Sequence, residues 1–220
     1  MAEICPALLA KTTVEYNKLL LNVVNLTRRI QIDLSDGIFA NHETINIEDT
    51  FWPSQILADL HLMYENPESI VDKAIAKHPH MVIVHAEAHG NLLNILKRLH
   101  KSTIKAGIAL LPESDVKMYK ELIENSDHVM IFGGFLGSYG GKADLSNLKK
   151  VEQIRKIHPD IEIGWDGGAN DENAAEIFKN GVDVINVGGY IQKSPDPKSA
   201  YAILRRIANE FEIQDKRDKT

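Results

Sequence analysis

Cysteine is almost absent from this chain. Cys5 stands alone among 220 residues, so no intramolecular disulfide can form and a reducing compartment is the natural setting. A lone thiol of this kind reads as a small buried hydrophobe. Long apolar runs are missing too, none approaching the roughly 18–20 residues that span a bilayer. No basic stretch leads into an apolar one at the start of the chain, so a signal peptide is not expected and a cytoplasmic location is. Positive charge is not in excess: 25 Lys and Arg stand against 31 Asp and Glu, a net charge of −6. That balance argues against a nucleic-acid partner or an anionic membrane surface. No Ser/Pro-rich linker divides the chain. What remains, 44% apolar and 25% charged residues, is a globular mixture long enough for one substantial core.

Short apolar runs alternate with amphipathic stretches along the whole length. The runs Glu3–Leu9, Arg29–Leu34, Ile56–Met63, Met81–His85, Lys105–Leu110, His128–Phe132, Ile161–Asp166 and Val184–Val187 read as strands. Several are apolar at consecutive positions, as buried parallel strands should be. Helical patterns fall at Thr13–Leu26, Asn66–Lys77, Asn91–His100, Asp115–Glu124, Ser146–His158, Asn173–Asn180 and Pro197–Phe211. Asn66-Pro67-Glu68 offers a helix start in the usual order of cap, proline and acid. Strands begin roughly every 25 residues, a rhythm that suits a single (β/α)8 barrel over residues 1–212 better than two domains. One unit is weak: between Asn41 and Asp59 the pattern is interrupted by Pro53, so the second helix is expected to be short or broken. Residues 213–220 read as a charged tail, of which Gln214–Thr220 is expected to fray.

In such a barrel, chemistry collects where strands end and the following loops begin. The polar residues there are Asp33 and Asp36, Asp59 and His61, His85 and Glu87, and Asp166. A strand-end aspartate is commonly a loop or helix cap. In the barrel, however, Asp33, His61 and Asp166 converge, and their side chains are of the kind a divalent metal takes. Two carboxylates on opposite sides of one substrate would suit proton removal and return beside a carbonyl. His85 and His89 are candidates for the mouth; His78, His80, His100 and His158 read as surface residues, and Trp52 and Trp165 as packing.

Glycine is ordinary in number but not in placement. Eight of the fourteen sit in four Gly-Gly pairs between Gly133 and Gly189. Gly140-Gly141, Gly167-Gly168 and Gly188-Gly189 follow strands six, seven and eight. Backbone without Cβ can approach an oxyanion closely, and barrels commonly bind phosphate at these loops. A tight turn is the plainer explanation of any one pair, and Gly133-Gly134 reads as a hinge in the sixth loop. The ligand class indicated is a small phosphorylated molecule. Lys142 lies near these loops as a solvated or phosphate-facing charge.

At these residues the chain resembles the ribulose-phosphate 3-epimerase family, from Cys5-Pro6 to about Leu204. The resemblance rests on Ile32-Asp33-Leu34-Ser35-Asp36-Gly37-x-Phe39, Asp59-Leu60-His61-Leu62-Met63 and Val84-His85-Ala86-Glu87-Ala88. It continues through Ser138-Tyr139-Gly140-Gly141, Asp166-Gly167-Gly168 and Gly188-Gly189. It implies an α/β fold, a (β/α)8 TIM barrel of the ribulose-phosphate-binding type, acting in carbohydrate metabolism on the pentose phosphate pathway. The implied reaction interconverts D-ribulose 5-phosphate and D-xylulose 5-phosphate with one divalent metal ion: zinc, iron, manganese or cobalt. By position, Asp33 and Asp166 would be the paired catalysts and, with His61, the metal ligands. Met63 would cap the reacting carbons, and His61 and Met63 would line the substrate site. Gly140, Gly141, Gly167, Gly168, Gly188 and Gly189 would hold the phosphate, and a homo-oligomer is implied.

The chain departs from that pattern at the carbonyl end of the site. Gln31 stands where the family has its first metal histidine, Ala7 where it has a serine, Ser35 where it has a methionine, and Ile38 where it has a histidine. The sixth loop, Gly133-Gly134-Phe135-Leu136-Gly137, replaces a methionine-threonine run leading to proline-glycine. A glutamine oxygen is a weaker zinc ligand than imidazole. Two alternatives to the implied reaction follow: epimerisation of another ketose phosphate, or a sugar-phosphate-binding barrel without catalysis.

Overall fold

The computed structural model describes residues 2–134 and 141–218. Eight parallel strands close into a barrel in sequence order: β1 (Glu3–Leu9), β2 (Arg29–Ser35), β3 (Leu57–Met63), β4 (Met81–His85), β5 (Lys105–Leu110), β6 (His128–Phe132), β7 (Glu162–Asp166) and β8 (Val184–Val187). Closure is by β1 against β8, Glu3 opposite Val184 through Pro6 opposite Val187. The helices are α1 (Thr13–Val23), α2 (Val71–Ala76), α3 (Leu92–Lys101), α4 (Lys120–Glu124), α5 (Lys149–Ile157), α6 (Ala174–Lys179), α7 (Gly189–Gln192) and α8 (Pro197–Asp218).

Strand parity divides the labour. Side chains alternate between the two faces of a strand. Ile30, Ile32 and Leu34 of β2, with Leu60 and Leu62 of β3 and Val82 and Val84 of β4, join the large apolar core that includes helix residues such as Leu96, Ile154 and Leu204. The other parity faces into the barrel, where a small separate cluster of Met81, Ile83, Ala109 and Met130 forms the apolar filling. Arg29, Gln31, Asp33 and Asp59, His61 take the same inward parity and are buried. Cys5 is buried as expected, and burial pushes its thiol pKa up.

At the N-terminal end of the barrel the inward charges pair with one another. Arg29 donates from Nε to Asp59 Oδ2 at 2.6 Å, from Nη2 to Glu162 Oε1 at 2.8 Å and from Nη1 to Glu3 Oε2 at 3.1 Å. His80 Nδ1 lies 2.7 Å from Asp59 and His128 Nδ1 2.8 Å from Glu162. Burial raises the Glu162 pKa, but His128 and Arg29 outweigh it and hold the carboxyl well below its usual range. Asp59 thus belongs to this network and not to the mouth, and His80 is not a surface residue. Gly164 makes room for His128: a Cβ there would lie 2.6 Å from His128 Nε2.

The weak second unit has no α-helix. Between β2 and β3 only a 3-10 turn forms, Ile47–Asp49. Ile45 and Ile47 are buried in the place a helix would cover. The segment is pinned by Lys77 Nζ, which donates to the carbonyls of Glu48 and Thr50, and by the Tyr16 hydroxyl, which donates to Phe51 O at 2.6 Å. At the other extreme, α8 continues through Asp218 where fraying was expected from Gln214. No glycine or proline interrupts the chain after Pro197, and Phe211 stacks on Phe178 of α6 at 5.7 Å, carrying the helix past its last buried turn. The Asn66 side chain caps as expected, accepting from Glu68 N, but what it caps is a 3-10 turn, Pro67–Ser69, before α2.

Candidate functional site

The C-terminal ends of the strands surround a cavity of about 290 Å³. Its lining includes Asp33, His61 and Met63 on one side, Asp166 at the end of β7, and Gly141, Gly167, Gly168, Gly188 and Gly189 on the other. Gly140 lies outside the described residues. Ala7 lines the cavity, whereas Ser35 and Ile38 do not; Ile38 is exposed and Ser35 is buried, its hydroxyl accepting from Gly37 N. Asp36 is a loop cap: its Oδ1 accepts from the Ile38 and Phe39 amides and its Oδ2 from Glu65 N.

The centre of the site is Gln31, fully buried on β2. Its Nε2 donates to Asp33 Oδ1 at 2.8 Å and to Asp166 Oδ2 at 2.6 Å, so one amide group ties the two carboxylates together. The Gln31 Oε1 is buried without a hydrogen-bond partner, an omission that costs about 1–3 kcal/mol. Asp166 carries a raised pKa, first from burial and then from the Asp33 charge beside it. Two carboxylates this close favour a shared proton or a bound cation.

His61 extends the site inward. Its Nδ1 is 3.0 Å from Asp33 Oδ1 and 3.9 Å from Asp166 Oδ2. Its Nε2 is 2.9 Å from His85 Nε2. Two imidazole nitrogens face to face require one donor and one acceptor, so the two tautomers are coupled. When His61 Nδ1 donates to Asp33, His85 supplies the proton between the rings. When Nδ1 offers its lone pair to the cavity, His61 Nε2 donates to His85 and the His85 proton moves to Nδ1, which faces Glu87 Oε2 at 3.5 Å. Burial lowers the His85 pKa to about 4. Glu87 is held by Leu111 N and the Ser114 hydroxyl. His85 is therefore behind the site rather than in the mouth, packed on Phe39 at 4.6 Å. His89 is exposed and pairs with Glu65.

The donor set fits a divalent cation. Asp33, His61 and Asp166 each offer one ligand atom, all within 4.8 Å of one another. The unpartnered Gln31 oxygen and the carboxylate pair are the kind of donors such an ion satisfies.

The glycines divide into two kinds. Gly133 is packed rather than hinged: a Cβ there would come within 2.0 Å of the Trp165 ring. Gly134 and Gly167 bring two loops into backbone contact, where a Cβ on Gly167 would meet Gly134 N at 2.4 Å. Gly188 and Gly189 lead into α7, the short helix missed in the sequence, and Tyr190 and Lys193 beside them line the same cavity end. The signal for Lys193 was its place one helical turn after Gly189. Lys142 is exposed and takes no part in the lining.

The ribulose-phosphate 3 epimerase family model matches residues 3–192. The chain is 30% identical over 213 residues to a ribulose-phosphate 3-epimerase of Helicobacter pylori strain J99, covering 93% of this chain and 97% of the relative. It is 27% identical to that of Bacillus subtilis, over 80% of this chain and 85% of the relative. Among solved structures it is similar to a 3-hexulose-6-phosphate synthase, with a TM-score of 0.71, 17% identity and coverage of 93% and 99%. It is likewise similar to 3-keto-L-gulonate-6-phosphate decarboxylase from Vibrio cholerae, with a TM-score of 0.73, 12% identity and coverage of 96% and 98%. These two likenesses are of fold.

Proposed function

For a chain that belongs to the ribulose-phosphate 3-epimerase family, and is an epimerase of the isomerase class by that membership and its named relatives, we propose interconversion of D-ribulose 5-phosphate and D-xylulose 5-phosphate by two-carboxylate proton transfer at C3. The observation that carries the reading is the pair Asp33 and Asp166, tied through Gln31 at one end of a cavity whose other end is lined by glycine loops. Asp33 takes the C3 proton; the C–H electrons move into the C2 carbonyl to give an enediolate. Asp166, whose raised pKa keeps a proton available, returns one to the opposite face of C3, and the reverse reaction exchanges the roles. Gln31 and His61 hold the two carboxyl groups. Gly141, Gly167, Gly168, Gly188 and Gly189 present backbone to the phosphate, with Lys193 adding charge there. Met63 covers the reacting carbons.

A divalent ion (zinc, iron, manganese or cobalt) held by Asp33, His61 and Asp166 would polarise the substrate's C2 and C3 oxygens. The small phosphorylated sugar is the proposed partner, and the proposed setting is the cytoplasm; among the described residues no helix is long and apolar enough to cross a membrane.

The test is entry of solvent deuterium at C3 of ribulose 5-phosphate, followed by NMR with each metal added in turn. Exchange is expected; binding of the sugar phosphate with no exchange under any metal would reject this reaction in favour of a non-catalytic binding barrel. A second reading, another ketose phosphate, is favoured by Ala7, which lines the cavity without a hydroxyl. The same assay run on other ketose phosphates tests it.

A further inference from the structure

Gln31 has a donor and an acceptor on one amide, and only the donor is used. Nε2 bridges both carboxylates, while Oε1, in a fully buried side chain, has no partner. The two ends of an amide exchange places by a half-turn about the last side-chain bond, with no other atom displaced. Which end faces the carboxylates depends on what lies between them. With nothing there, two acceptors at 2.6 and 2.8 Å demand the –NH2 group. With a cation there, the –NH2 group is repelled and the carbonyl oxygen is attracted.

We propose that Gln31 inverts its amide when a divalent cation enters, supplies Oε1 as a fourth protein ligand, and by doing so sets the metal preference of the centre. This rests on the reading of Asp33, His61 and Asp166 as the cation site. The inverted amide gives three oxygen donors and one imidazole nitrogen. Oxygen-rich sets suit manganese(II) and magnesium, and imidazole suits zinc. A histidine at position 31 would move the set towards zinc; the glutamine moves it towards harder ions.

Two measurements on the full chain test this, and neither needs turnover. In the first, chelator-stripped wild type and Gln31→His are titrated with Zn²⁺ and with Mn²⁺ by competition calorimetry. Changes that merely reorient a ligand alter metal affinity about 10- to 100-fold, so replacing the ligand should raise Zn²⁺ affinity at least about tenfold. Mn²⁺ affinity should change by less than about threefold, so the Zn²⁺ to Mn²⁺ affinity ratio rises. In the second, the Gln31 side-chain –NH2 resonances of ¹⁵N-labelled wild type are followed as diamagnetic Zn²⁺ is added. They should leave their hydrogen-bonded positions as the metal binds. An unchanged affinity ratio in Gln31→His, –NH2 resonances that stay in place with metal bound, or no binding of either ion by wild type would each overturn the proposal. If Gln31→His does not fold, the resonance measurement on wild type decides. Failure of C3 exchange in metal-loaded wild type would strike the epimerase reading alone, because these readouts report the metal and not the reaction.

Discussion

At the N-terminal end of the barrel, β2, β3 and β7 contribute Arg29, Asp59 and Glu162; at the C-terminal end the same strands contribute Asp33, His61 and Asp166. Both ends concentrate buried and half-buried carboxylates inside a ring of strands. The lower end carries its own cation, and Arg29 bonds three carboxylates from three strands. Among the described residues the upper end has no arginine; a neutral amide bridges its two acids, with His61 beside them. A buried charge is tolerated when it is paired and hydrogen-bonded. The lower end meets that condition internally and is structural. The upper end meets it only in part, and the unmet part is what a proton, a cation or a substrate can supply.

The sharpest way to separate the ends is by activity. Asp33→Asn and Asp166→Asn should each lower C3 exchange about 100- to 10,000-fold, the usual worth of a positioned acid or base. Circular dichroism should show the barrel intact. Retained exchange in either variant would remove that residue from the proton transfer.

Stability should show the opposite sensitivity. Arg29→Met leaves buried Asp59 and half-buried Glu162 without their arginine and should cost about 3–5 kcal/mol, read as a lower midpoint in urea. Adding Glu162→Gln should recover part of the loss. If Arg29→Met unfolds at the wild-type midpoint, the lower network is not what holds this end together.

Two groups of the metal-free protein weaken it in turn as pH falls, His85 and then Glu162, while Asp166 works in the opposite direction. The folded-state pKa of His85 lies below its ordinary 6.5, at about 4, so the unfolded chain takes up this proton first. Its contribution is present above pH 6.5 and is lost as pH falls towards 4, by about 3 kcal/mol at most. Glu162, whose folded-state value lies below its ordinary 4.5, then adds a further loss as pH falls below 4.5. Urea midpoints across this range in chelator should fall more steeply for wild type than for His85→Gln between pH 6.5 and 4.5. Parallel curves would contradict the assignment to His85.

The smallest effect runs against intuition. The Asp166 pKa is raised by burial and by Asp33, so its protonated form favours the fold, and that contribution is lost as pH rises from the ordinary 3.8 through the raised value. In the metal-free protein at pH 8, Asp166→Asn should therefore raise stability by about 1 kcal/mol, although the same change lowers exchange in the metal-loaded protein. A drop in midpoint would mean that Asp166 is held as firmly as the acids at the lower end.

Much of the barrel was legible in the sequence because apolar strand runs are local signals. Met81–His85 and His128–Phe132 fall where they were expected. The grouping of Asp33, His61 and Asp166 was reached only through the barrel, since 28 and 105 residues separate them along the chain. What was not legible depends on direction and reach. No spacing rule says that the Gln31 amide spans two strands, that His61 meets His85, or that Asp59 turns to Arg29 instead of the mouth. Gly133 was read as a hinge because glycine permits bending; the Trp165 ring that forbids any side chain there lies 32 residues away. The α8 extension was missed because charged residues were taken as a tail, although nothing in them breaks a helix.

Strand β2 serves both the site and the core. Along β2 the inward positions Arg29, Gln31 and Asp33 hold a cation, a neutral amide and an acid, while Ile30, Ile32 and Leu34 face the helices. The two sets share a backbone but no packing surface. Substitution at position 31 can therefore retune the site without disturbing the layer that makes the barrel fold. On β2, heritable change in chemistry and heritable change in architecture are separable, one parity at a time.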